Sequence, residues 1–209
     1  MDLRFLLFLY VIVISSAIVH EYAHAWMADR LGDPTARLAG RLTLNPAAHI
    51  DLFGTVLLPL ILLFFASTFI GWAKPVPFNP YNLSDQRWGT LKVGLAGPAA
   101  NFLLAAVLAV IFRVLSGSDI GGIDARQLAL FLGILGWIIY INISLGLFNL
   151  IPVPPLDGSK VIPELLPFRW RGIFEQSFAG IAIALVVAFF FLPVVANSVF
   201  FVFTGESFR

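Results

Sequence analysis

The chain has 209 residues, 59% of them hydrophobic and only 12% charged, with a mean hydropathy of +0.92. Soluble domains carry about a quarter charged residues, so this composition excludes a water-soluble globule and describes an integral membrane protein, expected as one membrane domain over 1–209 with its core at 4–160. A net charge of +1 offers nothing to nucleic acid, and the lack of cysteine means that any metal must be held by nitrogen and oxygen.

Five segments come close to the roughly 20 apolar residues that span a bilayer: 4–28, 53–72, 91–115, 128–150 and 176–203, the last bent at Pro193. The expected fold is an all-α polytopic membrane protein with about 4–5 membrane helices. A short β-hairpin or strand region is expected after the first helix, together with a possible re-entrant segment.

Within the first segment stands His20-Glu21-Tyr22-Ala23-His24. At about 3.6 residues per turn, His20 and His24 share a helix face one turn apart. Two imidazoles so placed can hold Zn²⁺, and Glu21 can take a proton from the water that such an ion activates. Three ionisable groups in a lipid-length helix cost several kcal/mol unless they are ligated, paired or wet. Residues 5–19 could also pass for a signal peptide, with Ala23-His24-Ala25 as its cleavage site. Arg4 is balanced by Asp2, however, and the apolar run is long, so a retained membrane helix is expected.

Thr35–Asn45 alternates in part and is closed by Asn45-Pro46, which reads as one or two short strands. Their edge, Arg37–Asn45, could hold an extended peptide, or the pair could be an ordinary interfacial hairpin. His49 reads as a polar contact beneath this region, with gating or pH sensing as the alternative. The proline-rich stretch 73–90 is a loop, 117–124 a turn, and 152–171 a charged, proline-rich link. Trp72 and Trp170 read as interface anchors.

Residues 149–158, Asn-Leu-Ile-Pro-Val-Pro-Pro-Leu-Asp-Gly, end the fourth segment in prolines and an Asp-Gly turn. Taken alone, Asp157 is a turn residue. Beside the His-Glu-x-x-His helix it becomes the best-placed acid to complete a two-histidine, one-carboxylate zinc set. Asn149 and Asn101 are candidates to donate to an oxyanion or anchor a substrate backbone. Asn101 equally suits an interhelical hydrogen bond beside Gly97, and for Asn142 that packing reading prevails.

His20–His24, Gly97-Pro98-Ala99-Ala100-Asn101 and Asn149-x-x-Pro152-x-Pro154-x-Leu156-Asp157-Gly158 resemble the site-2 protease family of intramembrane zinc metalloproteases. Gly71–Pro80 and Leu44–Asp51 are similar to its compact prokaryotic branch, without a PDZ or CBS domain. The resemblance implies one Zn²⁺ held by His20, His24 and Asp157, Glu21 as catalytic acid/base, and Asn149 touching substrate or water. It implies a transmembrane protein substrate cleaved in or near its membrane span, in the lipid bilayer of a prokaryotic cell.

For His20, His24 and Asp157 to meet, segments one and four must run in the same direction, so one intervening segment must not cross. The segment 53–72, with Pro59, is the candidate; the alternative is that it does span and the metal lies deep enough for the parity rule to loosen. Arg30, Arg37, Arg41, Lys74, Arg87, Lys92, Lys160, Arg169 and Arg171 then lie on the site side, against Arg4, Arg113, Arg126 and Arg209 opposite. That bias places the site toward the cytoplasm and the N-terminus outside. The rival readings are a divalent metal-ion transporter or channel, which would repeat its acids and histidines over several helices, and a catalytically silent scaffold, which would not need Glu21.

Overall fold

Asp2 starts the first helix by accepting a hydrogen bond from Arg4 N at 3.2 Å, and α1 then runs unbroken over Leu3–Arg30. This is the computed structural model of the chain, which describes residues 2–66, 71–117, 124–165 and 178–208. At about 1.5 Å per residue, α1 exceeds the roughly 30 Å of a hydrocarbon core. It ends where Leu31 N returns to Met27 O and Ala28 O and Gly32 turns left-handed, with φ +98°. Its buried stripe, Leu6, Leu9, Ile12, Ser16, His20, His24 and Ala28, steps by three or four residues and turns polar in its second half.

Short elements follow: α2 (Thr35–Leu38), α3 (Pro46–His49), a π-helical turn (Leu52–Leu57) running into α4 (Leu58–Ala66), and a 3₁₀ turn (Pro80–Asn82). Two long helices, α5 (Gly89–Ser116) and α6 (Ala125–Asn149), precede α7 (Gly158–Leu165) and α8 (Phe178–Thr204), which carries Pro193 within it. Among the described residues, α1, α5 and α6 are long and apolar enough to cross a membrane.

Side-chain contacts set their directions. His24 meets Val93 and His20 meets Asn101, so α5 runs antiparallel to α1. Phe5 meets Trp137 and Ser16 meets Asn142, so α6 runs parallel to α1. Where α5, α6 and α8 pack, the core is Ala105, Ala109, Phe112, Leu135, Ile139, Ile143, Ala196 and Phe200. Its alanines let the helices approach closely, as packing in lipid requires.

The expected β-hairpin at Thr35–Asn45 is not there: among the described residues no strand forms, and the membrane protein is all-helical. Thr35–Leu38 coils into α2 behind Asp33, whose Oδ1 accepts from Thr35 N at 3.2 Å. Asn45 caps α3 through Ala47 N at 3.1 Å, with Pro46 in its first turn. Between them Gly40 is left-handed, with φ +67°, and Arg41 turns inward, so no edge is left on Arg37–Asn45 to receive a peptide. Local side-chain caps outweighed a weak alternation.

Among the described residues the helical run 52–66 is shorter than the roughly 20 residues that span a bilayer. Lys74 N bonds His49 O at 2.9 Å, Trp72 N bonds Gly54 O at 3.2 Å, and Thr55 Oγ1 donates to Trp72 O at 2.7 Å. The described ends of this excursion are therefore held together, near the end of α1 that the chain left. Trp72 packs over Gly54 and against Phe53. The expected anchor Trp170, Arg169, Arg171, Arg209 and most of the turn at 117–124 lie outside the described residues.

Asp33 ties these loops to the end of α1. Its oxygens accept from Thr35, from Asn79 N at 2.6 Å and from Asn82 Nδ2 at 2.9 Å. Burial pushes its pKa up, but those hydrogen bonds outweigh burial and hold the carboxyl below its usual range. A depressed carboxyl stabilises the fold above its unfolded pKa, near about 4, and loses that contribution as pH falls through the folded value. Asp33→Ala should lower stability by about 1–3 kcal/mol at neutral pH. It should also flatten the acid-side loss in thermal unfolding of the detergent-solubilised protein.

Candidate metal centre

Helix α1 presents the two histidines one turn apart, with ring centroids at 4.6 Å and planes at 84°. Asp157 reaches them from beyond α6: its Oδ2 lies 2.9 Å from His20 Nε2 and 3.0 Å from His24 Nε2. All three are buried, at 4%, 7% and 6% exposure. The turns Val153 N to Ile151 O (2.8 Å) and Leu156 N to Val153 O (2.9 Å) fold the proline-rich stretch back to bring the carboxylate there. Gly158 is required next, since a Cβ would stand 2.6 Å from Ile151 O.

The outer nitrogen of each ring is already committed. His24 Nδ1–H donates to Val93 O at 2.7 Å, a carbonyl that can only accept. His20 Nδ1–H donates to Asn101 Oδ1 at 2.6 Å. Asn101 is held in that sense because its amide donates to Asn142 Oδ1 (2.9 Å) and Ser16 O (3.3 Å), while Asn142 donates to Ser16 Oγ and Ile138 O, both at 2.9 Å. In the neutral rings, both Nε2 atoms therefore carry lone pairs, and both face a carboxylate oxygen that also carries lone pairs. With the rings neutral, three acceptors converge, an arrangement that a bound cation or an added proton would satisfy. The ligand atoms of His20, His24 and Asp157 lie within 4.8 Å of one another. Two nitrogens and one oxygen, with ring orientation set by carbonyl-type partners, suit Zn²⁺.

Lys160, one turn into α7, bonds Asp157 Oδ1 at 2.7 Å and leaves Oδ2 to the imidazoles. Gly97 of α5 lies close against the rings: a Cβ there would stand 2.6 Å from His20 Nε2 and press on the His24 ring. A cavity of about 140 Å³ opens beside the cluster, lined by His20, Glu21, His24, Val76, Asn149 and Asp157. Glu21 Oε2 accepts from Val76 N at 2.8 Å.

Of the residues singled out in the sequence, His20, Glu21, His24, Asp157 and Asn149 share this cavity. Asn101 is fully buried and reaches it only through His20. His49 is buried elsewhere, donating from Nε2 to Thr43 O at 2.8 Å. Sequence reasoning missed Lys160, Val76 and the Val93 carbonyl. Only Lys160 carried a signal, lying three residues beyond Asp157. A larger cavity of about 540 Å³, among Phe112, Trp137 and Phe208, lies at the other end of the helices and holds none of these groups.

Peptidase family M50 matches the chain over residues 5–131 and 117–193. The chain is similar to "Putative zinc metalloprotease YwhC" of Bacillus subtilis strain 168, 38% identical over 172 residues, covering 81% of this chain and 74% of the relative. Rip2 of Mycolicibacterium smegmatis, named in the same way, is 28% identical over 82% of this chain, which spans 62% of its length. Zinc metalloprotease MJ0392 of Methanocaldococcus jannaschii is 25% identical over 87% of the chain, which spans 42% of its length. No solved structure matches.

Two substitutions probe the centre. Asn101→Leu should orphan His20 Nδ1–H and weaken zinc binding about 10- to 100-fold, read by competition with a chromogenic chelator. Gly97→Ala should push the imidazoles off their positions and leave zinc below one per chain by elemental analysis, with helix content by circular dichroism unchanged.

Proposed function

This chain belongs to peptidase family M50 and is an intramembrane zinc metalloprotease, and on that premise we propose that His20, His24 and Asp157 hold its zinc and Glu21 carries the proton. The observation behind the reading is the meeting of two α1 imidazoles and a distant carboxylate at one point, with ligand atoms close enough to share a metal ion. When bound, zinc supplies Lewis acidity, bringing the pKa of a water down toward about 7 and polarising the scissile carbonyl.

The residues do the rest. His20 and His24 keep their Nε2 lone pairs inward because Asn101 and Val93 hold their Nδ1 protons. Glu21 lies on the same helical turn and lines the same cavity, so its carboxylate is in place to take the proton of the attacking water. It then delivers that proton to the leaving amine. Asn149, whose Nδ2 donates to Leu145 O at 3.0 Å, borders the cavity as a contact for substrate backbone. Asn101 acts through His20 and not on substrate.

The substrate we propose is a peptide bond in or near a transmembrane segment. A helix hides its carbonyls in i→i−4 bonds, so such a segment must unwind locally before Glu21 can act on it. We place the site toward the cytoplasm of the cell membrane. Arg30, Arg37, Arg41, Lys74, Arg87, Lys92 and Lys160 gather at the site end, against Arg4, Arg113 and Arg126 opposite.

Glu21→Gln should lower cleavage of a transmembrane substrate by at least about 10²–10⁴ and still hold one zinc per chain. Asp157→Ala should lose both metal and activity, and a chelator should silence the wild type until zinc is returned. Proteolysis retained by Glu21→Gln would remove the assigned base.

A further inference from the structure

Between Lys74 and Phe78 the loop reads Pro75-Val76-Pro77, and proline has no N–H. Val76 therefore carries the only backbone donor of these three residues, and that donor bonds Glu21 Oε2 at 2.8 Å across 55 positions of sequence. Both flanks are tied down. Upstream, the buried Arg41 donates to the carbonyls of Lys74 and Pro75, the latter at 3.2 Å, and to Ala48 O, while Lys74 N bonds His49 O at 2.9 Å. Downstream, Asn79 N bonds Asp33 Oδ2 at 2.6 Å. A buried guanidinium is costly unless its donors are matched. The Nη donors of Arg41 are met by the carbonyls of Ala48, Lys74 and Pro75, while its Nε has no partner among the described residues.

We propose that the Val76 amide positions Glu21, and that Arg41 and Asp33 hold the proline-flanked loop so that this one N–H stays on the carboxylate. A glutamate side chain has three free torsions. One fixed donor removes most of that freedom and keeps the proton acceptor in the cavity it shares with His20, His24, Asp157 and Lys160. The inference rests on Glu21 being the proton carrier. Val76 does not touch substrate in this account and acts only through Glu21.

The test uses the full chain in liposomes and a synthetic single-span peptide bearing a fluorophore and a quencher on either side of its apolar stretch. Val76→Pro removes the donor. It should lower kcat about 10- to 100-fold, with KM and zinc content unchanged. Val76→Ala keeps the donor and should restore most of kcat. Arg41→Met frees the loop from its other side and should lower kcat with zinc retained.

Unchanged kcat in Val76→Pro overturns the proposal. A raised kcat also overturns it, since the loop would then be a plug on the site. If Val76→Pro loses zinc, Arg41→Met decides, and loss of zinc in both makes the loop a structural brace and overturns the proposal. Glu21→Gln, run in parallel, separates the two claims. If it is dead while Val76→Pro is fully active, only the positioning role falls. If it is active, the assignment of the base falls first.

Discussion

Two imidazole nitrogens and a carboxylate oxygen face one another with their lone pairs inward, and much of the chain is arranged to keep them so. A metal ion would relieve the repulsion, and each ring is pinned from behind. Val93 O pins His24 from α5, and Asn101 pins His20. Asn101 in turn needs Asn142 on α6 and Ser16 on α1, so one polar chain ties three helices at a depth where each unmatched donor would be costly. The same bonds that orient the ligands thus hold the bundle in register. The site and the packing of α1, α5 and α6 share one set of interactions.

The parallel course of α1 and α6 follows from that set. A carboxylate past the end of α6 can meet a histidine pair near the end of α1 only if the helices point the same way, and a single crossing, α5, separates them. The intervening 49–76 stretch then has to come back to its own side, as the paired arms at His49–Lys74 and Gly54–Trp72 do.

What could be read without coordinates was whatever spacing or covalent chemistry dictates. His20 and His24 announce themselves by one helical turn with a glutamate between them, and Asp157 by prolines that end a helix. The need for a segment that fails to cross was an exercise in parity. The strand expectation for Thr35–Asn45 fails because local caps outweigh the alternation: Asn45-Pro46 is a helix start, and Asp33 ahead of Thr35 is a turn acceptor. The partners of the site could not be read at all where they are backbone. No sequence pattern distinguishes the Val93 carbonyl or the Val76 amide from their neighbours. Asn101 was visible as a polar residue on an apolar helix, but its partner was not, because the choice between substrate and His20 depends on which way the helix is rotated.

Gly97 carries a further consequence. With hydrogen where a side chain would be, α5 brings bare main chain against both imidazoles at a spacing that a single methyl would violate. At this point no rotamer can ease or crowd the rings, so the room beside the histidine pair is governed by the spacing of the two rods, α1 and α5.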